Sequence, residues 1–352
     1  MSRLRWVVPL VVLLILPLYV EAPWLKAGQF VMVGAVGAIG LTLLIGQAGQ
    51  LSLAHAFFVL AGATSYTVLA APAGEELIGF GWNPLLALVG AVMSAGVLGL
   101  AFAPVAGRLR GIYLGVASLS LVFLGLYLGQ EAGALTGGTS TGRSPAAFEL
   151  FGFPFSDEGD VKIAGVPIQE TERVWYLFLA LTGIAVFLAR RAIRGRAGRA
   201  WRAVRDNETA ARAMGVHVGR AKAGAFGVSS SYAGLAGVMT VLWFDILKPD
   251  ESEFGTYGIN VSIAYLAMTV IGGLGSVRGA VAGAAVVNGL PQLLTLTATD
   301  LGWFAATGDG AVTPVLVGSL VYGAAVVLIV LFEPGGLAAL IRRIRRHERV
   351  VR

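Results

Sequence analysis

The residues able to do chemistry in this chain are few and scattered. Its three histidines stand at 55, 217 and 347, with no acid or second histidine at a metal-holding spacing. There is no cysteine, which excludes disulfides and thiolate chemistry. HExxH, GxSxG and GxxxxGK followed by Ser or Thr do not occur. GGLGSVRG at 272–279 lacks the strand before it and the acid after it that a dinucleotide site needs. TGGTSTG at 136–142 has no lysine after its glycines. A membrane-embedded enzyme would need a paired acid, a histidine cluster or an activated nucleophile, and none is visible. The residues thus assign no catalytic group, no metal ligand and no cofactor bound by this chain.

Two other sets of residues have chemistry of a different kind. Gln47, Gln50, Ser52, His55, Asn260, Ser262 and Asn288 are uncharged polar residues inside otherwise apolar runs. They are candidates to line a solute path, or else they form ordinary interhelical hydrogen bonds, worth about 0.6 kcal/mol each. The runs hold almost no ionisable residue, and Glu131, Asp245 and Glu333 fall at their ends. That counts against an ion-coupled carrier, which usually needs such groups within its spans. The second set is the basic stretch Gly195–Lys222. Helix formers fill it from Arg199 to Met214 and Gly215 stops it, which predicts one short helix. Arg202, Arg205 and Arg212 share one face or adjacent faces. Asp206 is placed to pair with Arg202 and Glu208 with Arg212, both at i, i+4. Such a helix offers a surface for another protein to press on; the plainer alternative is a topogenic basic loop.

The elements that position these residues follow from composition. The chain has 352 residues, 56% of them hydrophobic and 13% charged. That is about half the usual charged share, and the apolar residues come in runs of around 20, the length that crosses a bilayer. The expected fold is all-α: a polytopic transmembrane helix bundle of about ten spans, near 6–20, 28–46, 51–71, 84–104, 111–130, 174–190, 223–243, 258–272, 279–297 and 313–332. The third and eighth are punctuated by small and polar residues. The first follows two arginines and reads as an uncleaved span. The 49 glycines let helices approach closely.

Charge fixes the sidedness. With both termini inside, all but Lys26, Arg143, Lys162, Arg173 and Lys248 of the 26 Lys and Arg lie on the cytoplasmic side, against only Asp206, Glu208, Glu333 and Glu348 of the 20 acids. Residues 1–352 thus read as one transmembrane domain. It has an extracytoplasmic loop at 131–173, a cytoplasmic segment at 193–222 and a basic tail at 341–352 suited to anionic lipid headgroups. No nucleic-acid reader accompanies the net charge of +6.

Three segments together resemble the LivM-type permease of branched-chain amino acid ABC importers. They are GLTLLIGQAGQLSLAHAFFVLAGATSY at 40–66, RLRGIYLGVASLSLVFLGLYL at 108–128 with LTGGTSTG at 135–142, and GRAWRAVRDNETAARAMGVHVGRAKAGAFGVSSSYAGLAG at 198–237 leading to VIGGLGSVRGAVAGA at 270–284. The resemblance covers most of residues 30 to 295, and the order and spacing of its pieces make it specific. It implies an ABC-importer permease of a bacterial or archaeal cytoplasmic membrane, forming half of a translocation path. Its partners would be a homologous LivH-type permease, two cytoplasmic ATP-binding subunits that use ATP and Mg, and a periplasmic or lipid-anchored solute-binding protein. ETAARAMG at 208–215 is similar to the loop by which such permeases dock on the ATPase. The resemblance therefore gives Arg199, Arg202, Arg205, Asp206, Glu208, Ala211, Arg212 and Gly215 an ATPase-coupling role. The chain departs from the family pattern at Gln47, Gln50 and Ala54, where Tyr or Phe, Leu and Gly are usual. The resemblance implies branched-chain or other small amino acids as cargo; the extra amides imply a more polar route, and the alternative is the same type of permease for urea, short amides or sugars. An alternative class is an autonomous secondary carrier or channel.

Overall fold

The computed structural model describes residues 11–74, 77–109, 111–139, 141–155, 161–163, 166–250 and 257–301, with short pieces between 320 and 339. Helix α1 (Ala22–Leu41) carries Pro23 in its first turn, where a missing N–H costs nothing, and runs into a π-turn at Thr42–Gln47. α2 is His55–Ala70. α3 (Pro84–Arg108) is started by Asn83, whose side chain accepts from the Leu85 N–H. α4 (Ile112–Glu131) and α5 (Glu170–Arg194) follow, and a Gln169–Glu172 capping box fixes where α5 begins. Two short helices, α6 (Arg196–Asp206) and α7 (Glu208–Ala213), lead into α8 (Val218–Phe244). α9 is Ile259–Gly272. α10 (Val277–Ala284) continues through a second π-turn, Ala285–Gly289, into α11 (Leu290–Leu301).

Among the described residues, six helical stretches are long and apolar enough to cross a membrane: Ala22–Gln47, Pro84–Arg108, Ile112–Glu131, Glu170–Arg194, Val218–Phe244 and Val277–Thr297. α2 and α9 are apolar but shorter, and they are the two expected spans interrupted by polar residues. Eight of the ten expected spans thus coincide with apolar helices. Of the other two, the described part of 6–20 is a short helix at 11–15 that runs into a 3-10 turn, Leu16–Leu18, while 313–332 and the basic tail lie largely outside the described residues.

α1 and α8 form the interior, and the other long helices each keep one face outward. α3 shows how the sequence sorts its faces. Leu86, Val89, Met93, Val97 and Leu100 recur at helical spacing and are exposed, whereas Ala87, Ala91, Ala95, Gly99 and Ala103 are buried against α8. Large residues face outward and small ones inward, because lipid tails solvate Leu as well as a core does and only small residues gain close contact. Gly62 of α2 lies directly on the backbone of Gly234 in α8, and Gly237 on the backbone of Val59.

Among its described residues the 131–173 segment has no spanning helix, as expected, but it is not featureless. It holds two short antiparallel hairpins, β1 (Glu149–Leu150) with β2 (Phe153–Pro154) and β3 (Val161–Ile163) with β4 (Val166–Ile168). Two of the supposed loop charges are buried staples. Arg143 bridges Leu247 through its backbone, and its guanidinium donates to the carbonyls of Ile78 (2.7 Å) and Leu135 (3.1 Å). Burial lowers its pKa from the usual arginine range. Arg173 donates to the Pro154 carbonyl.

Candidate functional site

The helical path of the first long span stops at Gln47, and α2 begins only at His55. The Gly49 and Gln50 N–H groups still reach back to the Ile45 and Leu44 carbonyls, so residues 51–54 are the stretch that donates no helical hydrogen bonds. Backbone N–H groups that leave a helix and turn into protein need other acceptors. Here hydroxyls from two other helices supply them. The Leu53 N–H donates to Ser118 Oγ of α4 (2.8 Å), and the Ala56 N–H donates to Ser262 Oγ of α9 (3.0 Å). Ser52 accepts from the Ala54 N–H. The start of α2, which has no side-chain cap of its own, is thus capped by Ser262 from another element.

Around this break lie buried polar atoms with hydrogen-bonding capacity to spare. Gln47 Oε1, both amide atoms of Gln50, His55 Nε2 and the Tyr257 hydroxyl have no hydrogen-bond partner. Gln47 spends its amide nitrogen on the Gly275 carbonyl (2.9 Å). The His55 ring meets Tyr265 edge-on, with centroids 4.8 Å apart, and Gly37 leaves the room that the Tyr265 ring occupies. The set offers donors and acceptors in a low-dielectric setting. Among these residues no acid is paired with a base.

Of the seven residues expected to line a path, Gln47, Gln50, Ser52, His55 and Ser262 gather at this break, all buried. Asn288 lies apart in the second π-turn and donates to the Phe30 carbonyl of α1 (3.0 Å). Asn260 is exposed at the first turn of α9. Tyr265, Tyr257 and Ser118 join the cluster without having been singled out. A tyrosine in an apolar run reads as one more apolar residue until its neighbours are known.

The 193–222 segment is two helices, not the single one expected. Asn207 has an extended backbone, and its side chain accepts from the N–H groups of Thr209 and Ala210, so it ends α6 and caps α7. Asn before Glu is a helix-start signal that the run of helix formers obscured. Trp201, Val204 and Ala211 turn inward, and Ala211 packs with Val204 and Val218. Arg199 and Arg212 are exposed, Arg202 is half-buried, and Gly215 is exposed with φ of 82°. Glu208 pairs with Arg212 at 4.0 Å as expected, but its closer partner is Lys222, at 2.6 Å. Asp206 pairs with Arg205 rather than Arg202, accepting from its Nη2 at 2.9 Å and its Nε at 3.0 Å.

The family model for the branched-chain amino acid transport system permease component matches residues 29–331. Two proteins named high-affinity branched-chain amino acid transport system permease protein LivM are similar to it. The one from Salmonella typhimurium is 30% identical over 277 residues and the one from Escherichia coli 30% over 281, each alignment covering 76% of this chain. A probable ABC transporter permease protein y4mJ of Sinorhizobium fredii is 28% identical over 214 residues, 60% of each chain. The chain spans 62% and 63% of the length of the two LivM proteins. No solved structure matches. Because the family model runs from α1 past α11, through both the break and the basic segment, the chain belongs to the permease component family of branched-chain amino acid transport systems.

Proposed function

We propose that this chain is the permease subunit of an ATP-binding cassette importer and forms half of a translocation path for branched-chain or other small amino acids. A second, homologous permease supplies the other half. Two cytoplasmic ATPases drive the cycle, and a solute-binding protein outside the membrane delivers the cargo. The observation that carries the reading is the α6–α7 segment. It is a basic two-helix projection between two long apolar helices, α5 and α8, with Arg199, Arg212, Met214 and Gly215 outward. A topogenic loop needs charge but no fold; this segment has an N-cap, its own small apolar cluster and three ion pairs.

In the proposed cycle, closure of the ATPase dimer moves α6–α7, and the helices on either side tilt. Solute passes the break near Gln50 and His55, where spare donors and acceptors bind it weakly; affinity resides in the delivery protein. A second reading, a small amide or urea as cargo, is favoured by the two unpartnered amide atoms of Gln50. Reconstitution tests both. The chain alone in proteoliposomes takes up neither radiolabelled L-leucine nor urea under a proton or sodium gradient. With ATPases, partner permease, delivery protein and ATP it takes up leucine. Uptake by the chain alone overturns the proposal, and uptake of urea but not leucine selects the second reading.

A further inference from the structure

Arg205 is built into the segment differently from its neighbours. Its Nη1 donates to the Gly46 carbonyl at 2.6 Å, across 159 residues of sequence. Nε and Nη2 rest on Asp206. Gly46 is in the last turn of the helical path that began as α1, where carbonyls run out of intrahelical partners. The Leu44 carbonyl is taken by the Gln50 N–H and the Ile45 carbonyl by the Gly49 N–H. The Gly46 carbonyl is taken by Arg205, so a cation from another element caps the negative end of this helix.

The local glycines make the contact possible. Gly49 has φ of 70°, and a Cβ there would lie 2.6 Å from Arg205 Cγ. A Cβ at Gly46 would strike the backbone of Gly275, in the turn between α9 and α10. Gln47 adds its hydrogen bond to the Gly275 carbonyl. That turn in turn packs through Gly273 on the Gly335 carbonyl and Ala338. A continuous chain of contacts therefore runs from α6 to the helix break and on to the α9–α10 turn.

We infer that Arg205 is a positioning residue that braces the basic segment to the broken end of α1, so that displacement of α6–α7 enters the bundle at Gly46–Gln50 and passes to the Gly273–Ser276 turn. The inference rests on the reading of 193–222 as a coupling segment. It removes Arg205 from the surface that grips the ATPase and places it one step inward, between that surface and the solute path. Asp206, which holds two of the guanidinium nitrogens, keeps the arm aimed.

The test uses the complete importer and Arg205→Ala, Arg205→Lys and Asp206→Asn. Arg205→Ala retains its ATPases on co-purification and still hydrolyses ATP, but L-leucine uptake per ATP falls roughly tenfold or more. Arg205→Lys, which can still donate to the Gly46 carbonyl, restores a substantial part of the ratio, and Asp206→Asn loses less than Arg205→Ala. In the isolated chain, the amides of Gly49 and Gln50 exchange with deuterium roughly tenfold faster in Arg205→Ala. Loss of the ATPases from Arg205→Ala would make the residue a docking contact and overturn the inference. So would unchanged uptake per ATP, or unchanged exchange at Gly49 and Gln50. If the wild-type chain associates with no ATPase, the coupling reading fails, and the exchange arm still decides whether Arg205 braces the break.

Discussion

The ion pair between Glu208 and Lys222 ties α7 to the base of α8, and its two members should not be equally costly to remove. The Lys222 side chain is 8% exposed and that of Glu208 24%, at 2.6 Å. The gross attraction of such a pair is about 6 kcal/mol at an effective dielectric near 20, and desolvation offsets much of it. Removing one partner of a fully buried pair costs about 3–5 kcal/mol, because the survivor is left charged and dry. Glu208→Ala leaves the Lys222 ammonium in that position, discounted for the partial exposure of the site: about 2–3 kcal/mol. Lys222→Met keeps the buried stem and leaves a carboxylate that still reaches water and has Arg212 at 4.0 Å. That costs about 1 kcal/mol. The double variant buries no lone charge and costs about as much as Lys222→Met alone. Hydrogen exchange reads this locally, at the Ala211, Met214 and Val216 amides, which bond within and just after α7. Each 1.4 kcal/mol is a tenfold faster opening, so Glu208→Ala exchanges roughly 30- to 150-fold faster and Lys222→Met about fivefold. Equal effects, or additive effects in the double variant, would show that the pair is a surface ornament and that α7 is held by its apolar contacts.

Two further outcomes follow from the helix contacts. Gly62→Ala forces a Cβ into the Gly234 backbone at the α2–α8 crossing and costs about 1–3 kcal/mol as overpacking. Gly183→Ala, in α5 with nothing within reach of the new methyl, raises stability by about 0.5–1 kcal/mol. Thermal denaturation of the purified chain in detergent should therefore move in opposite directions for two identical substitutions. Ser262→Ala strips the cap from the Ala56 N–H and costs about 0.6–1.7 kcal/mol. Faster hydrogen exchange at Ala56, with α9 itself unchanged, is the expected signature.

What the sequence made legible and what it hid divide along a physical line. Long apolar runs report the spans because crossing a bilayer is a one-dimensional requirement, and eight of them coincide with helices. Polar punctuation in the third and eighth runs marked α2 and α9 as unusual, since a run too short to cross must be completed by something else. Five of the seven path candidates meet at the break for the same reason: an uncharged polar residue in an apolar run needs a partner, and helix ends are where unpartnered groups collect.

Charged residues were harder to read, because a charge count assigns sides of a membrane and not partners. Arg143 counts as one outside charge, yet it is buried on two carbonyls that lie 65 and 8 residues away in sequence. Arg205 counts as one inside charge among several, yet it reaches a carbonyl 159 residues distant. Asp206 matched Arg202 by helical spacing, but the Arg205 guanidinium, held in place by Gly46, lies closer. For Arg143 and for the Nη1 of Arg205 the partner is a backbone oxygen, which every residue possesses and no sequence pattern marks. The glycines beside those oxygens are the nearest thing to a signal. Gly46, Gly49 and Gly275 stand where a Cβ would exclude the arginine or the neighbouring turn. A glycine next to a helix-ending carbonyl, in a chain with a basic segment on the same side of the membrane, is therefore the pattern that would have located the brace in advance.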